Sequence, residues 1–372
     1  MEPLLQKLDS ILERLDRMIR KLESPRFKVL SLFSGMGGMD IGFSEQVIVH
    51  RQSVDPILID RETQISGFVA LKRLPFETVF QNDILPEAKL LSDLNGWSHN
   101  YVLQDIRDLL KESYPFPYAD VVTGGFPCQD FSHAGKRKGF DSSRGTLYQS
   151  FVEVVKRVQP LVFLAENVHG LLTMPSNPIQ QIITDFSAAG YTVKYQLIKC
   201  EEYGIPQTRW RVILMGVRND KVHLLPDDWN VLSETKRSCP VGPWLAHLKE
   251  PSETDDPAQQ LYSKAALLEK GQGQTEVGME EFAPTIRAEH HGNIEFRRRK
   301  NGKNKEKESN LPERRLTVRE AALIQTFPPT CHLTEPNKPS MKAYKPIGNA
   351  VPVLLGYLIA RKVFQLLESM KV

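Results

Sequence analysis

Phe27-Lys28-Val29-Leu30-Ser31-Leu32-Phe33-Ser34-Gly35-Met36-Gly37-Gly38 is the stretch that decides the fold. Lys28 to Phe33 is a short, apolar, β-prone run, which predicts a strand. Ser34 to Gly38 is a glycine turn, and Met39 to Ser44 predicts a helix directly behind it. Glycines in such a turn let the backbone approach a ligand closely at a helix N-terminus. The spacing departs from GxGxxG, which argues against a nicotinamide enzyme.

Outward from that turn the same texture repeats. Apolar strands are predicted at 120–122, 161–165, 193–198 and 211–217, and Leu147, Phe151, Val154, Val155 and Val158 share one helix face that Gln159-Pro160 ends. Strands alternating with helices predict an α/β fold, a Rossmann-like sheet of the doubly wound kind. A last apolar face, Val351, Leu354, Leu355, Leu358, Ile359, Val363 and Phe364, predicts a helix that returns to this sheet.

Of 372 residues, 41% are hydrophobic and 25% charged, which excludes wholesale disorder. No apolar run is read as reaching the roughly 20 residues of a bilayer span, and Met1-Glu2-Pro3 lacks the marks of a signal peptide. Cys128, Cys200, Cys239 and Cys331 are too scattered for a zinc ribbon or a disulfide framework, so four reduced thiols in a cytosolic protein are expected. Leu4, Leu8, Ile11, Leu15, Met18 and Leu22 predict an amphipathic helix over 4–22. It could be a short coiled coil offered to a second copy, or a helix laid on the protein's own surface. Three heptads are short, which favours the second reading. Residues 226–313 are rich in Pro, Gly, Glu, Lys and Gln and read as a smaller, loop-rich domain. Within it, 297–315 holds nine Lys or Arg against three Glu, the densest charge feature of the chain.

Three elements carry chemistry. Gly124-Gly125-Phe126-Pro127-Cys128-Gln129-Asp130-Phe131-Ser132 follows a strand, so Cys128 is expected at the carboxyl edge of the sheet, in a polar loop that suits a nucleophilic thiolate. The other three cysteines read as small buried hydrophobes. Glu166 ends the apolar strand Leu161–Ala165, where partly desolvated surroundings favour a protonated carboxyl. Arg209 and Arg211 alternate with Trp210 on entry to another strand, so both arginines face one side. A thiol, an acid and a guanidinium thus converge on one sheet edge.

In chain order the residues FSGMGG 33–38, QDIR 104–107, GGFPCQDFS 124–132, SRGTL 143–147, ENV 166–168, YGIPQTRWR 203–211, RRLTVREAALIQTFP 314–328 and IGNAVP 347–352 match one family. The chain resembles the C5-cytosine DNA methyltransferases of bacterial restriction–modification systems, over about residues 27 to 366. The resemblance implies an S-adenosylmethionine-dependent methyltransferase that needs no metal. Cys128 would add to C6 of a cytosine flipped from double-stranded DNA. Glu166 would hold N3 and the exocyclic amine, and Arg211 the O2 oxygen with Arg209 in support. Gln129 and Ser132 would touch the displaced strand. A cognate restriction endonuclease would be a functional partner, not a physical one.

For the cofactor the resemblance maps Phe33, Gly35, Gly37 and Gly38 to the methionine moiety, Asp105 to the adenine amine, and Leu147 and Asn349 to the same site. Asp60 has the usual spacing for the ribose-binding acid, while Asp83 better matches the family's local text. Asp83 is chosen, with Ile84 stacking on adenine and about 45–76 treated as an insertion. The organisation is then the helix over 1–24, a catalytic and cofactor-binding domain over 25–235 completed by 341–372, and a target-recognition domain over 236–340. Arg297, Arg298, Arg299 and Lys300 are expected on phosphates, and Arg287, within 284–293, on a base edge. His290-His291 as a metal pair lacks supporting ligands. The rivals are the same chemistry on RNA, a silent DNA-binding regulator, and a cysteine hydrolase in which His133 would have to act as base.

Overall fold

The computed structural model describes residues 27–127, 147–232, 236–265, 273–288 and 294–370. β1 (Phe27–Leu32) passes through the glycine turn into α1 (Gly38–Ser44). Next come β2 (Ile48–His50), β3 (Ile59–Glu62) and β4 (Phe68–Leu71), a separate antiparallel sheet in the order β2-β4-β3. β5 (Phe76–Asp83) returns beside β1 and is followed by α2 (Pro86–Leu94), β6 (Tyr101–Leu103) and α3 (Ile106–Lys111). The sheet then gains β7 (Val121–Gly124), α4 (Leu147–Val158), β8 (Val162–Val168), α5 (Pro178–Ala188) and β9 (Tyr191–Lys199). A short β10 (Gln207–Thr208) precedes β11 (Trp210–Arg218).

The main sheet has seven strands in the order β6-β5-β1-β7-β8-β11-β9, with β11 antiparallel to both neighbours. Its central strands are covered on both faces, which is why β1, β7 and β8 read as nearly continuous apolar runs. On one face α4 and α5 pack Phe151 and Phe186 against Phe163. On the other lie α1 and the long carboxyl-terminal helix. The strands expected at 28–33, 120–122, 161–165, 193–198 and 211–217 all form, within a few residues of those bounds.

Beyond β11 the chain forms α6 (Val241–Leu245), α7 (Pro257–Gln260), β12 (Ala283–Pro284), β13 (Phe296–Arg298) and β14 (Arg314–Arg315). It closes with α8 (Val318–Ile324), α9 (Tyr344–Asn349) and α10 (Val353–Ser369). Val241, Trp244, Ile286 and Leu316 belong to the same buried cluster as Val29 and Ile213, so this region shares its core with the main sheet. Two glycines permit the closure. A Cβ on Gly38 would sit 2.2 Å from the Val351 carbonyl, and one on Gly42 2.3 Å from the Tyr357 amide, so α10 lies directly on α1. The sequence reading of apolar runs needs one correction here. Met341–Ser369, which spans α9 and α10, does reach bilayer length and hydropathy, but 72% of its most apolar window is buried, so it belongs to the core. The 4–22 helix lies outside the described residues.

Candidate active site

β8 and β11 bring the acid and the guanidinium together. Their antiparallel register sets Arg211 opposite Val168 and Ile213 opposite Glu166. The Arg211 Nε lies 2.7 Å from the Glu166 Oε1, with both side chains 11% exposed. The ion pair is thus nearly dry yet still reachable from the cavity it lines. Asn167 Nδ2 donates to the Phe126 carbonyl at 3.0 Å, tying the end of β8 to the loop that leads into Cys128. A Cβ on Gly125 would come within 3.1 Å of Glu166 Oε2, so this loop runs flush against the acid. Cys128, Gln129, Ser132 and His133 lie outside the described residues. The remaining thiols are buried, and burial pushes Cys200 up to about 12 and raises Cys239 and Cys331 as well, which leaves these three protonated and inert.

Glu166 and Arg211 form one end of a cavity of about 630 Å³ whose other end is the glycine turn. Its walls include Phe33, Gly35, Gly38, Asp83, Ile84, Asp105, Leu147 and Asn349. Gly37 does not reach it. It stands at φ 95° as the N-cap of α1, where its role is to turn the chain. Asp83, not Asp60, is placed against the turn: its Oδ2 accepts from the Gly35 amide at 2.8 Å and its Oδ1 from the Leu85 amide at 2.9 Å. Burial raises the Asp83 pKa, and the amides of Gly35, Leu85 and Ile84 oppose that rise. Asp60 sits in the small sheet, paired with Arg61 at 2.9 Å. Tyr101, which the sequence reading passed over, donates its hydroxyl to the Gly35 carbonyl at 2.8 Å. Gly35 is therefore held through both its amide and its carbonyl.

These residues fit S-adenosylmethionine. A side chain at Gly35 would meet no atom of the described residues within 4 Å, so among them the turn leaves space for a ligand at that point. Ile84 is 65% exposed at the cavity wall, an apolar surface suited to a flat ring. Asp105 caps α3 and is gripped by Arg107, whose hydrogen bonds hold its carboxyl below the usual range. The ionised carboxylate remains an acceptor for an amine.

Arg209 spends its hydrogen bonds on the backbone. It is 2% exposed and donates to the carbonyls of Ile286 (2.9 Å), Gly348 (3.1 Å) and Ala350 (3.0 Å). It knots the segment after β12 to the α9–α10 junction, and it lines the same cavity as Glu166 and Arg211. Burial pulls its pKa down to about 9, so it stays charged at neutral pH. Gln207 completes the knot, with Oε1 accepting from the Ile286 amide and Nε2 donating to Gln325. Beside it a second cavity of about 600 Å³ is lined by Arg211, Thr285, Arg287, Gly348 and Asn349. The Nη1 of Arg287 is buried there without a hydrogen-bond partner among the described residues.

The basic run is corrected most. Arg297 is 5% exposed and pairs with Glu308 at 2.9 Å, so it is not available to phosphate. Arg298 donates to the Ser309 carbonyl, and Arg299 lies over the Phe296 ring and donates to the Gln274 carbonyl. Arg314 is clamped between Glu250 and Glu320, and Arg315 donates to the Gly273 and Ile294 carbonyls. Lys303 and Lys307 pair with Glu281 and Glu280. Lys300 and Lys305 alone in the run are exposed and carry no ion pair among the described residues. Most of the cations hold this region together, because a buried guanidinium needs partners that fill its donors. His290 and His291 lie outside the described residues.

The chain is 33% identical to the Type II methyltransferase M.BsuRI of Bacillus subtilis, covering 94% of this chain and 81% of that protein. It is 32% identical to M.BspRI of Lysinibacillus sphaericus, covering 92% and 82%. Among solved structures, the fold resembles the S. pombe Dnmt2 methyltransferase (TM-score 0.60, 18% identity, 93% of this chain and 99% of that one). The Entamoeba histolytica methyltransferase EhMeth is similar (TM-score 0.61, 16% identity, 91% and 98%). Residues 27–365 match the model of the C-5 cytosine-specific DNA methylases, and the chain belongs to that family of S-adenosylmethionine-dependent DNA cytosine-5-methyltransferases.

Proposed function

We propose that this enzyme methylates C5 of one cytosine, flipped out of a specific short double-stranded DNA sequence, through a covalent adduct between Cys128 and C6. The observation that supports this reading is the Arg211–Glu166 pair, 2.7 Å apart, in the cavity that also contains the glycine turn. A base inside a duplex cannot reach such a cavity, so the cytosine must leave the stack.

Cytosine C5 is a poor nucleophile until a nucleophile adds at C6. The Cys128 thiolate bonds to C6, and the electron pair of the C5–C6 double bond shifts to give an enamine. Glu166 hydrogen-bonds to N3 and the exocyclic amine, and Arg211 holds O2, so charge developing on the ring meets preplaced partners. Bound S-adenosylmethionine supplies the electrophilic methyl group. A base then removes the C5 proton, the double bond re-forms, and Cys128 leaves as thiolate. Phe33, Gly35, Gly38, Asp83, Ile84, Asp105, Leu147 and Asn349 would hold the cofactor. Gln129 and Ser132 are assigned to the displaced strand, and Arg287 to the DNA at the mouth of the second cavity. The recognition domain is assigned to about 236–340, and the biological role to protection of host DNA from a cognate restriction endonuclease.

Transfer of tritiated methyl to unmethylated genomic DNA, followed by bisulfite sequencing, tests the reading. Label in 5-methylcytosine within one short motif is expected, and 5-fluorocytosine DNA should trap the adduct. Label in tRNA and none in DNA would overturn it.

A further inference from the structure

The segment between α1 and β5 has no part in the chemistry described above, yet it is built into the molecule rather than appended to it. β4 is buried along its whole length, and its Phe68 is 1% exposed. The Phe68 ring packs edge-on against Trp244 (5.5 Å), His247 (4.9 Å) and His50 (5.5 Å). The first two belong to the α6 region that opens the recognition segment. Trp244 is fully buried, and its indole Nε1 donates to the Ser53 hydroxyl at 3.0 Å.

Ser53 faces a second neighbour as well. Gly204 stands at φ 78°, and a Cβ there would lie 2.0 Å from the Ser53 carbonyl. No other residue type fits both the backbone angle and the space. Gly204 begins the loop that runs through Ile205 and Gln207, both fully buried, into Arg209 and Arg211. The loop is clamped from its other side too. The Gly204 amide donates to the Arg237 carbonyl at 2.9 Å, and Arg237 Nη2 reaches Asp55 of the insertion at 3.0 Å. One side of Ser53 therefore meets the recognition segment and the other meets the arginine strand.

The insertion's exposed charges cancel locally, Arg51 against Glu62 and Arg61 against Asp60. We propose that the β2–β4 insertion is a positioning element that, through Ser53, holds the Gly204 loop and Trp244 in register, so that Arg211 is aimed at the target base whenever the recognition segment is seated. This rests on the assignment of Arg211 to the base. The physical warrant is close packing. A loop pinned at Gly204 between two segments cannot shift without moving the strand it feeds, and misplacement of a catalytic group by about 1 Å can cost on the order of a hundredfold in rate.

The test uses the full-length enzyme, with turnover measured at saturating cofactor and DNA and S-adenosylmethionine affinity measured separately. Ser53→Ala removes only the hydroxyl that accepts the indole proton. It should lower kcat at least fivefold while leaving the S-adenosylmethionine Kd within twofold of wild type. Gly204→Ala forces the loop away from Ser53 and should lower kcat at least a hundredfold with the same affinity retained. Wild-type kcat in Ser53→Ala, or a joint loss of turnover and cofactor affinity in that variant, overturns the proposal. If Gly204→Ala does not fold, Ser53→Ala decides alone. Wild-type enzyme that fails to methylate DNA would instead overturn the functional reading on which the inference stands.

Discussion

Arg209→Lys isolates a role that the tertiary structure assigns. The arginine is buried and donates to three carbonyls on two segments, Ile286 on one side and Gly348 and Ala350 on the other. A lysine ammonium is a single point and cannot span both sets at hydrogen-bond distance, so it keeps one bond and loses the rest. Bonds from a charged donor contribute about 1.5–3 kcal/mol each, and a buried carbonyl left without a partner adds its own desolvation cost. Two lost bonds therefore weaken the seating of the 286–288 segment on the 348–350 turn by at least about 3 kcal/mol. If that seating is needed for turnover, kcat/KM for DNA falls by roughly a hundredfold, since each 1.4 kcal/mol is about tenfold. The assay is methyl transfer at pH 7.5, where Arg209 is charged, under limiting DNA and saturating S-adenosylmethionine, with urea unfolding in parallel. A variant within threefold of wild type in kcat/KM, with an unchanged urea midpoint, would refute the argument that the carbonyl knot joins the two segments.

Three further outcomes are expected. Asp83→Ala removes the acceptor of the Gly35 amide and should raise the S-adenosylmethionine Kd at least tenfold by calorimetry; an unchanged Kd would refute the assignment of Asp83 to the cofactor. Asp40 is buried, its Oδ1 has no hydrogen-bond partner among the described residues, and burial raises its pKa from 3.8 to about 6. An acid whose folded pKa is raised binds its proton more tightly when folded, so its stabilising contribution is present at low pH and lost as pH rises through about 6. Asp40→Asn should therefore gain stability at pH 8, up to about 3 kcal/mol from that pKa difference, and gain almost nothing near pH 4; equal gains at both pH values would count against it. Lys300→Ala with Lys305→Ala should flatten the log–log salt dependence of DNA binding by no more than about 2, whereas Arg297→Ala should lower the unfolding free energy by about 3–5 kcal/mol and leave that slope unchanged. A large slope change from Arg297→Ala would mean that its pairing with Glu308 opens on DNA.

The main sheet was legible because its central strands are buried on both faces and therefore uniformly apolar, and because the glycine turn and Gln159-Pro160 mark element ends within a few residues. Glu166 and Arg211 were legible for the same local reason: each sits at the end of such a strand, which places it at one sheet edge. The strands within the 45–76 segment were not. β2 and β3 run only three and four residues, too short for a period to show. Tyr101 gave no signal either, since its value lies in a bond to a carbonyl 66 residues away.

Local pattern alone thus marked the central strands and the glycine turn and put Glu166 and Arg211 at one sheet edge, and the motifs in chain order pointed to the family. Charge pairing was decided by the tertiary structure, because partners meet across long stretches of chain. Arg314 finds Glu250 64 residues away, and Arg209 finds Ala350 141 residues away. Alternation along the strand put Arg209 and Arg211 on one side, and it was correct as far as it went. The segments that crossed above them gave one arginine an acid and the other three carbonyls, and no spacing within 203–211 encodes that difference. A run of cations looks the same in sequence whether it faces phosphate or its own carboxylates. Burial separates the two, and burial is a property of the whole fold.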